Sequence, residues 1–293
     1  MSDLLPPLRE VIERYELAAK KSLGQHFLLD LNMTRKIARA ADVSSTDSVL
    51  EIGPGPGGLT RALLETGARV YAIERDHRCI AALSDVHRAF DNRLTLFEAD
   101  ALAAHESDLL GHAAPVKIVA NLPYNISTEL LIKWLKAGPA LWSVMALMFQ
   151  KEVADRILAA PGSKAYGRLS VIAQSASVPS RAFNLPARAF TPPPKVDSTV
   201  VLFEQAPAPF PAIGALEKVT QAAFAQRRKM LRSSLKSVFG EQLSDALAAA
   251  NALETQRAEE LSVKQFQQLA LYLASMANAK QAVTRRCGSS GSG

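Results

Sequence analysis

The residues with the most specific chemistry are Asn-Leu-Pro-Tyr at positions 121–124, directly after an apolar, strand-like segment. Open α/β sheets bind ligands at the carboxyl ends of their strands, where this tetrapeptide would lie.

The tetrapeptide suits methyl transfer to an aromatic amine such as that of adenine. This amine is a poor nucleophile, because its lone pair is delocalised into the ring. The side-chain oxygen of Asn121 and the carbonyl of Leu122 can accept its two N–H groups and draw the nitrogen towards tetrahedral geometry. Pro123 stiffens the turn, and Tyr124 offers a ring face to a flipped base. The pattern favours methyl transfer to an aromatic amine. Without a cofactor site beside it, it would indicate only a strand-ending turn and a core tyrosine.

A glycine-rich turn earlier in the chain is the candidate cofactor site. Gly53, Gly55 and Gly58 follow a strand-like segment, precede a helical one and satisfy the pattern G-x-G-x-x-G. Glu74 follows at the end of the next strand-like segment. This is the arrangement of a dinucleotide-binding turn, in which the acidic residue binds a ribose.

Two features of this turn argue against a bound pyrophosphate. Pro54 and Pro56 have no N–H to donate, and Glu51 places a carboxylate where the phosphates would lie. A phosphate-free adenosine with a positively charged end, such as S-adenosylmethionine, avoids both conflicts. Glu74 would accept hydrogen bonds from its ribose, and Asp100, after the third strand, from its adenine amine. The alternative is a glycine-rich turn that merely links a strand to a helix.

The elements that must position these residues alternate along the chain. Helices are predicted to begin near positions 58, 78, 127 and 151, with an irregular link over 100–115. Strands are predicted at 48–52, 69–74, 93–98, 116–121 and 143–150, and again at 177–185 and 198–203. Alternating strands and helices indicate an α/β fold with a doubly wound, Rossmann-like parallel sheet. The last two strands can pair antiparallel at its end.

The Pro-rich segment at 205–211 is the clearest domain boundary. Residues 1–21 are predicted to form a helix or arm, and 22–205 the cofactor-binding catalytic domain. Residues 212–280 are predicted to form a smaller, all-helical C-terminal domain, and 281–293, which end in Gly and Ser, a flexible tail.

Five motifs resemble the signatures of one family, in the same order. They are KSLGQHFL at 21–28, EIGPG at 51–55, NLPYNIS at 121–127, FTPPPKVDS at 190–198 and FAQRRKMLR at 224–232. Over residues 20 to 275 the chain resembles the bacterial small-subunit (16S) ribosomal RNA adenine N6,N6-dimethyltransferases, the KsgA family. The resemblance implies an S-adenosylmethionine-dependent methyltransferase fold. It also implies the transfer of two methyl groups to each of two adjacent adenines near the 3′ end of that RNA.

The same resemblance implies roles for individual residues. His26 and Leu28 would close over the cofactor, and Phe190 would oppose Tyr124 and sandwich the adenine. The residues lining the cofactor pocket would be Gly53, Glu74, Asp100 and Asn121. Family members often carry Asn at the position of His26. On the sequence alone, His26 could equally be a packed core histidine, and Phe190 would more often be a core side chain than a platform for a base.

The densest basic stretch lies at 226–236, in the helical tail. On a continuous helix Arg228, Arg232 and Lys236 would recur every four residues and share a face with Lys229. The apolar side chains that would pack inward are Phe224, Leu231, Leu235 and Val238. The basic face is either an ordinary solvated surface or, as we expect beside a catalytic domain, a site for RNA phosphates.

Composition limits the remaining classes of function. The formal net charge of +6 agrees with a polyanionic partner. Two cysteines cannot form a disulfide framework, the five histidines do not fall at metal-ligand spacing, and no metal is expected. The sequence shows no membrane-length apolar run and no signal-peptide core, so we expect a cytoplasmic enzyme without a membrane partner. We also expect it to be a monomer. The competing interpretations are a large-subunit RNA dimethyltransferase, a non-catalytic assembly or transcription factor on this fold and, last, an NAD-dependent oxidoreductase.

Overall fold

The computed structural model describes residues 5–17, 25–226 and 228–288, and the chain divides into two compact units. The sheet unit comprises Met1–Ala154 and Pro179–Gln205, and the helical unit comprises Asp155–Val178 and Ala206–Gly293. The prediction assigned 155–178 to the catalytic domain. These residues belong instead to the helical unit, because helix Arg168–Ala176 packs on helix Ile213–Phe224.

The main sheet has seven strands among the described residues, in the order β4-β3-β2-β5-β6-β9-β7. Their bounds are Ser48–Ile52 (β2), Arg69–Glu74 (β3), Leu94–Glu98 (β4), Val116–Ala120 (β5), Trp142–Gln150 (β6), Ser177–Leu185 (β7) and Ser198–Gln205 (β9). Strands β2 to β6 pair in parallel, and β9 pairs antiparallel with β6. The predicted α/β fold with a parallel, doubly wound sheet is confirmed, and β7 and β9 are neighbours as expected.

A separate two-stranded ribbon stands beside the glycine turn. Phe27–Leu28 (β1) pairs antiparallel with Phe190–Thr191 (β8), with Leu28 opposite Phe190. This pairing joins two motifs that lie more than 160 residues apart in the chain. Neither two-residue strand could be read from an alternation of apolar and polar residues, since that pattern needs at least four positions.

Helices cover the sheet and connect its strands. They are Leu8–Arg14 (α1), Leu31–Ala40 (α2), Gly58–Glu65 (α3), His77–Ala89 (α4), Glu106–Leu110 (α5), Ser127–Ala137 (α6) and Lys151–Ile157 (α7). The strands β2, β3 and β5 are almost wholly buried, as expected for a parallel sheet covered on both faces. Their carboxyl ends therefore meet in one place, directly before α3, α4 and α6.

The helical unit contains Arg168–Ala176 (α8), Ile213–Phe224 (α9), Leu231–Ser234 (α10), Lys236–Phe239 (α11), Leu243–Ala249 (α12) and Val263–Gly288 (α13). Its core includes Leu231 and Leu235, with Phe224 and Val238 packed against it. No helix in the described part of the chain is long and apolar enough to cross a membrane.

The basic stretch does not form the continuous helix that we predicted. Helix α9 ends at Phe224, and Met230 instead forms a β-bridge with Arg257. The N–H of Leu231 donates to Gln256 O (2.8 Å), so this backbone pairs with a distant segment rather than with the preceding turn. Arg228 is consequently not on a helix with Arg232.

The predicted tail also differs, because α13 continues to Gly288. Residues 281–287 contain no Gly or Pro that would end a helix. Positions 1–4 and 18–21 of the predicted arm, 22–24 of the predicted catalytic domain, 227 of the basic stretch and 289–293 of the predicted tail lie outside the described residues.

Candidate active site

A cavity of about 170 Å³ opens at the carboxyl ends of β2, β3 and β5. Of the residues predicted to bind the cofactor or act in catalysis, all but one line this cavity: His26, Leu28, Gly53, Glu74, Asp100, Asn121, Leu122, Pro123 and Tyr124. The exception is Phe190. Residues from five separate segments of the sequence are thus assembled around one cavity.

The N–H groups of the glycine turn are already used within the protein. Gly53 N donates to Ile73 O (2.9 Å), and Gly57 N donates to Pro54 O (3.0 Å). Gly55 N donates to Glu74 Oε2 (3.1 Å). The two prolines between them have no N–H. Positions 53–57 therefore offer no free donor to a pyrophosphate, which argues against the dinucleotide interpretation.

Gly58 lies where the glycine turn meets the β1–β8 ribbon. A Cβ built on it would be 2.7 Å from Leu28 O and 3.1 Å from Leu8 Cδ1. Because the first of these atoms is backbone, a side chain here would push β1 away from α3. The third glycine of the pattern thus permits close packing of the segment that carries Leu28.

The Glu74 carboxylate is held rigidly at the end of β3. Its Oε1 accepts from Arg75 N (2.7 Å) and Asp76 N (2.8 Å), and its Oε2 accepts from Gly55 N. Burial raises the pKa of Glu74, while these three backbone N–H groups oppose the rise. A carboxylate has about four acceptor sites, and these contacts use three of them, so a site on Oε2 is left for a hydroxyl of a bound ligand.

Asp100 follows β4 and is more open to solvent. Its Oδ1 accepts from Leu102 N (3.0 Å), and its Oδ2 lies 3.2 Å from Arg75 Nη1. The first contact turns the chain back on itself immediately after the strand. Asp100 is thereby kept at the rim of the cavity that Glu74 also lines.

Glu51 forms a deeply buried part of the cavity wall, with only 1% of its surface exposed. Its Oε2 has no hydrogen-bond partner among the described residues. Burial raises the pKa of Glu51 to about 8; the charge of Glu74 adds to this effect, and the neighbouring Thr60 hydroxyl opposes it. In the free protein this carboxyl is therefore mostly protonated at neutral pH. A cation bound in the cavity would favour its ionised form.

The Asn121 side chain is oriented by the backbone of the β1 segment. Its Nδ2 donates to His26 O (3.0 Å). With the amide nitrogen used in this way, the Oδ1 atom is left as the acceptor for a ligand N–H. Leu122, next in the chain, is buried, so its backbone is fixed by packing.

Tyr124 is held by two contacts that position its ring. Its hydroxyl lies 2.6 Å from Ser198 Oγ, and its ring stacks on His26 with centroids 5.4 Å apart. His26 Nδ1 in turn lies 2.8 Å from Pro192 O. Ser198 begins β9 and is fully buried. Sequence analysis did not single it out, although it is the last residue of the 190–198 motif.

Phe190 does not reach the cavity in this structure. Its side chain is 2% exposed and belongs to the core around Leu28 and Leu185. Its backbone pairs with Leu28, which does line the cavity. The ring found beside Tyr124 is that of His26, and the expected pairing of Phe190 with Tyr124 across a base is not formed in this conformation.

A partly buried ammonium group braces the loop that follows Asp100, and sequence analysis missed it. Lys133 Nζ donates to Ala101 O (2.9 Å) and to Ala104 O, and it lies 2.9 Å from Glu106 Oε1. The same Glu106 oxygen accepts from Trp134 Nε1 (2.7 Å). Lys133 lies on α6, the helix that begins just after the 121–124 tetrapeptide. It therefore ties that helix to the cavity rim, through contacts between residues about 30 positions apart that no local motif reveals.

The predicted RNA-binding side chains lie in the helical unit and are all exposed: Arg228, Lys229, Arg232 and Lys236. Arg232 and Lys236 fall on two successive short helices, α10 and α11. Within the described ranges, no group of three His, Cys, Asp or Glu side chains is arranged to hold a metal ion.

Comparison with known proteins agrees with this geometry. The family profile described as "Ribosomal RNA adenine dimethylase" matches residues 16–275. A protein of Ruegeria sp. (strain TM1040) named ribosomal RNA small subunit methyltransferase A is 56% identical over 275 residues, covering 92% of this chain and 96% of its own. A protein of the same name from Chelativorans sp. (strain BNC1) is 56% identical over 272 residues, covering 92% and 98%.

Two solved structures with a similar fold are named as transferases of methylated adenosine or of methyl groups on RNA. A dimethyladenosine transferase from Plasmodium falciparum has a TM-score of 0.71 and 27% identity, covering 85% of this chain and 98% of its own. The 23S rRNA methyltransferase ErmE has a TM-score of 0.61 and 25% identity, covering 85% and 99%. The family profile matches most of the chain, and the two relatives are more than half identical to it. The chain therefore belongs to the ribosomal RNA adenine dimethylase family.

Proposed function

We propose that this protein transfers methyl groups from S-adenosylmethionine to the N6 amines of two adjacent adenines near the 3′ end of small-subunit ribosomal RNA, giving N6,N6-dimethyladenosine during ribosome biogenesis. The observation that carries the proposal is the placement of Asn121 and Tyr124 on the same cavity as Glu74 and Asp100. An acceptor for the target amine, on Asn121, and an acceptor for a ribose, on Glu74, thus line the same cavity.

The cavity suits S-adenosylmethionine, which supplies an electrophilic methyl group on a positively charged sulfonium. The turn at 53–57 has no free N–H for a phosphate, so a phosphate-free adenosine fits it better than a dinucleotide. Glu74 would accept from the ribose hydroxyls and Asp100 from the adenine amine, while Glu51 would face the positively charged end. Gly53, His26 and Leu28 complete the wall around the cofactor.

Asn121 and Leu122 activate the target amine. Because Asn121 Nδ2 is bound to His26 O, its Oδ1 can accept one N–H of the adenine amine, and the Leu122 carbonyl can accept the other. Two acceptors placed in this way favour a tetrahedral nitrogen whose lone pair is free to attack. Pro123 limits the turn to the conformation in which both acceptors converge. The reaction needs no metal and no covalent enzyme intermediate.

Tyr124 holds the flipped base by stacking. Its ring is already fixed from one side by the Ser198 hydroxyl, so little freedom is lost when a base binds. Stacking on an aromatic side chain contributes about 1–3 kcal/mol per base. For Phe190 to complete a sandwich its ring would have to leave the core, so we propose that it acts in this conformation by supporting Leu28.

The helical unit would contribute phosphate contacts through Arg228, Lys229, Arg232 and Lys236. These exposed cations position RNA without reading its sequence. We propose that the protein acts as a cytoplasmic monomer on the RNA of the small subunit.

A second candidate is methylation of large-subunit RNA, because the solved structure of a 23S rRNA methyltransferase shares the fold at 25% identity. The much higher identity to proteins named for the small subunit favours the first proposal. The third interpretation, a non-catalytic assembly factor, is disfavoured by the presence of an oriented Asn121.

The test is transfer of labelled methyl groups to small and large subunits from cells that lack this modification, followed by nucleoside analysis. We expect labelled N6,N6-dimethyladenosine from the small subunit alone. Asn121→Ala should slow single-turnover methylation by on the order of 10²–10³-fold at saturating cofactor and RNA. Label in the large subunit would select the second candidate, and cofactor binding without any transfer would select the third.

A further inference from the structure

A second groove of the sheet unit lies beside the active-site cavity and is lined by three separate segments. Residues 7–9 come from the N-terminal arm, 29–30 follow β1, and 188, 189 and 191 surround Phe190. Arg9 and Arg188 are the basic side chains that line it. The two arginines are about 180 positions apart in the sequence, so the groove exists only in the folded protein.

The charge of this groove is not neutralised by the protein. Both Arg9 and Arg188 are exposed, and neither guanidinium has an ion pair or hydrogen bond among the described residues. The carboxylate that lines the groove belongs to Asp30, and its Oδ1 already accepts from Asn32 N (2.8 Å). Two guanidinium groups against one carboxylate leave a net positive groove, which favours an anion with several acceptor oxygens.

The segments that carry both arginines are anchored. Arg61 Nη1 donates to Pro6 O (2.8 Å), and Leu8, directly before Arg9, is buried against the sheet unit. On the other side, Ala187 N donates to Asp197 Oδ1 (2.9 Å), which fixes the turn before Arg188. The backbone at both sides is therefore preorganised, and only side-chain freedom would be lost on binding.

The groove shares a wall with the active-site cavity. Leu28 lines the cavity, and Leu29, next in the chain, lines the groove. On the partner strand, Thr191 lines the groove and pairs with Phe27. An RNA strand whose adenine enters the cavity keeps its backbone outside it. A phosphate next to that adenine can then reach a groove that lies on the other side of this shared wall.

We propose that Arg9 and Arg188 bind a phosphodiester of the RNA strand next to the flipped adenine. This inference rests on the proposed function and deepens it, since it makes the N-terminal arm part of the substrate-binding surface. The contact would hold the strand at the catalytic cavity. It would add to the phosphate contacts proposed for the helical unit.

The test is the salt dependence of binding to unmethylated small-subunit RNA, measured for the Arg9→Gln/Arg188→Gln double variant. Each lost phosphate contact should reduce the slope of log K against log salt concentration by about 0.7–0.9. Because the two arginines bind one phosphodiester, we expect the slope of the double variant to be smaller by about 0.7–0.9, with the affinity for S-adenosylhomocysteine and the melting temperature unchanged.

The matched control is Arg14→Gln/Arg69→Gln, which removes the same charge from two exposed arginines of the sheet unit outside the groove. Its slope should stay close to that of the parent. An unaltered slope in the groove variant, or equal losses in both variants, would overturn the inference. Methylation by the parent protein is measured in parallel: if the parent methylates small subunits, such a result contradicts only the groove, whereas an inactive parent contradicts the proposed function.

Discussion

The Glu51→Gln substitution replaces a buried carboxyl in the cavity wall by a neutral group of nearly the same shape. In the folded protein the pKa of this carboxyl is raised to about 8 by burial, with the charge of Glu74 adding to the effect. Its ordinary value is 4.5. Glutamine cannot ionise, so the variant should lack any pH dependence of stability that Glu51 produces.

The size of the change in the free energy of unfolding follows from the difference between the pKa of Glu51 in the folded protein and its ordinary pKa. A difference of about 3.5 pH units, at about 1.4 kcal/mol per unit, corresponds to on the order of 5 kcal/mol. For comparison, the free energy of unfolding of a typical protein is about 5–15 kcal/mol. Ionisation of this one group is therefore able to remove a large part of the stability.

Whether the free energy of unfolding rises or falls with pH depends on which state, folded or unfolded, keeps the Glu51 proton. Between pH 4.5 and 8 the folded protein keeps the Glu51 proton, whereas the unfolded chain has lost it. The stabilising contribution of Glu51 is thus fully present below pH 4.5 and is lost as the pH rises towards 8. Glu74, whose pKa is also raised, acts in the same direction, but it is present in both proteins and largely cancels in the comparison.

The assay is urea unfolding of parent and Glu51→Gln protein at intervals from pH 4.5 to 8.5, without cofactor. The difference in free energy of unfolding should move in favour of the variant by up to about 1.4 kcal/mol per pH unit and level off above pH 8. A difference that is the same at pH 5 and pH 8 would show that Glu51 is ionised in the folded protein, and the reasoning would be refuted. Titration with S-adenosylmethionine at pH 7 gives a second readout: the parent should release more protons on binding than the variant, because only the parent has the Glu51 proton to lose.

Three further predictions concern contacts described above. Lys133→Met removes the ammonium that braces the loop after Asp100, and should raise the Kd of S-adenosylhomocysteine by on the order of 10-fold. Lys117→Met removes a similarly paired ammonium at the opposite end of β5 and should leave that Kd unchanged; equal weakening in both would contradict the bracing role. Gly58→Ala places a Cβ 2.7 Å from a backbone oxygen and should lower the free energy of unfolding by about 1–3 kcal/mol, so an unchanged urea midpoint would count against this close packing. Ser198→Ala and Tyr124→Phe each remove one partner of the same hydrogen bond, so both should retain substantial methylation activity. Their double variant should be no slower than the slower single one, and additive losses in single-turnover rate would argue against the contact.

Much of the sheet unit could be predicted from the sequence because its signals are local. The strands at 48–52 and 69–74 were predicted with the same bounds that the structure has, since buried parallel strands are short apolar runs bounded by turn residues. Three strand-end segments also carried their own chemistry: the glycine turn, Glu74 and the 121–124 tetrapeptide. Because the carboxyl ends of parallel strands meet, their grouping in one cavity followed from the topology.

The continuous helix predicted for the basic stretch at 226–236 was wrong. Its four-residue spacing is typical of a helix, but the backbone of Leu231 and Arg232 bonds to residues 254–256 instead. The periodicity of a segment does not show which distant segment its backbone will bond to. The same applies to 155–178, whose place in the helical unit depends on packing between α8 and α9.

By itself, the sequence determined the parallel sheet, the cofactor cavity at its carboxyl edge and the 121–124 tetrapeptide that we propose binds the target amine. Only the tertiary structure decided which partners orient these groups: His26 O for the Asn121 amide, Ser198 for the Tyr124 hydroxyl, and Lys133 for the cavity rim. It also placed the Phe190 ring in the core rather than on the cavity. The physical reason is the range of the interactions. Strand ends and glycine turns are specified by neighbouring residues, whereas hydrogen bonds between residues about 30 to 100 positions apart form only when the chain has folded.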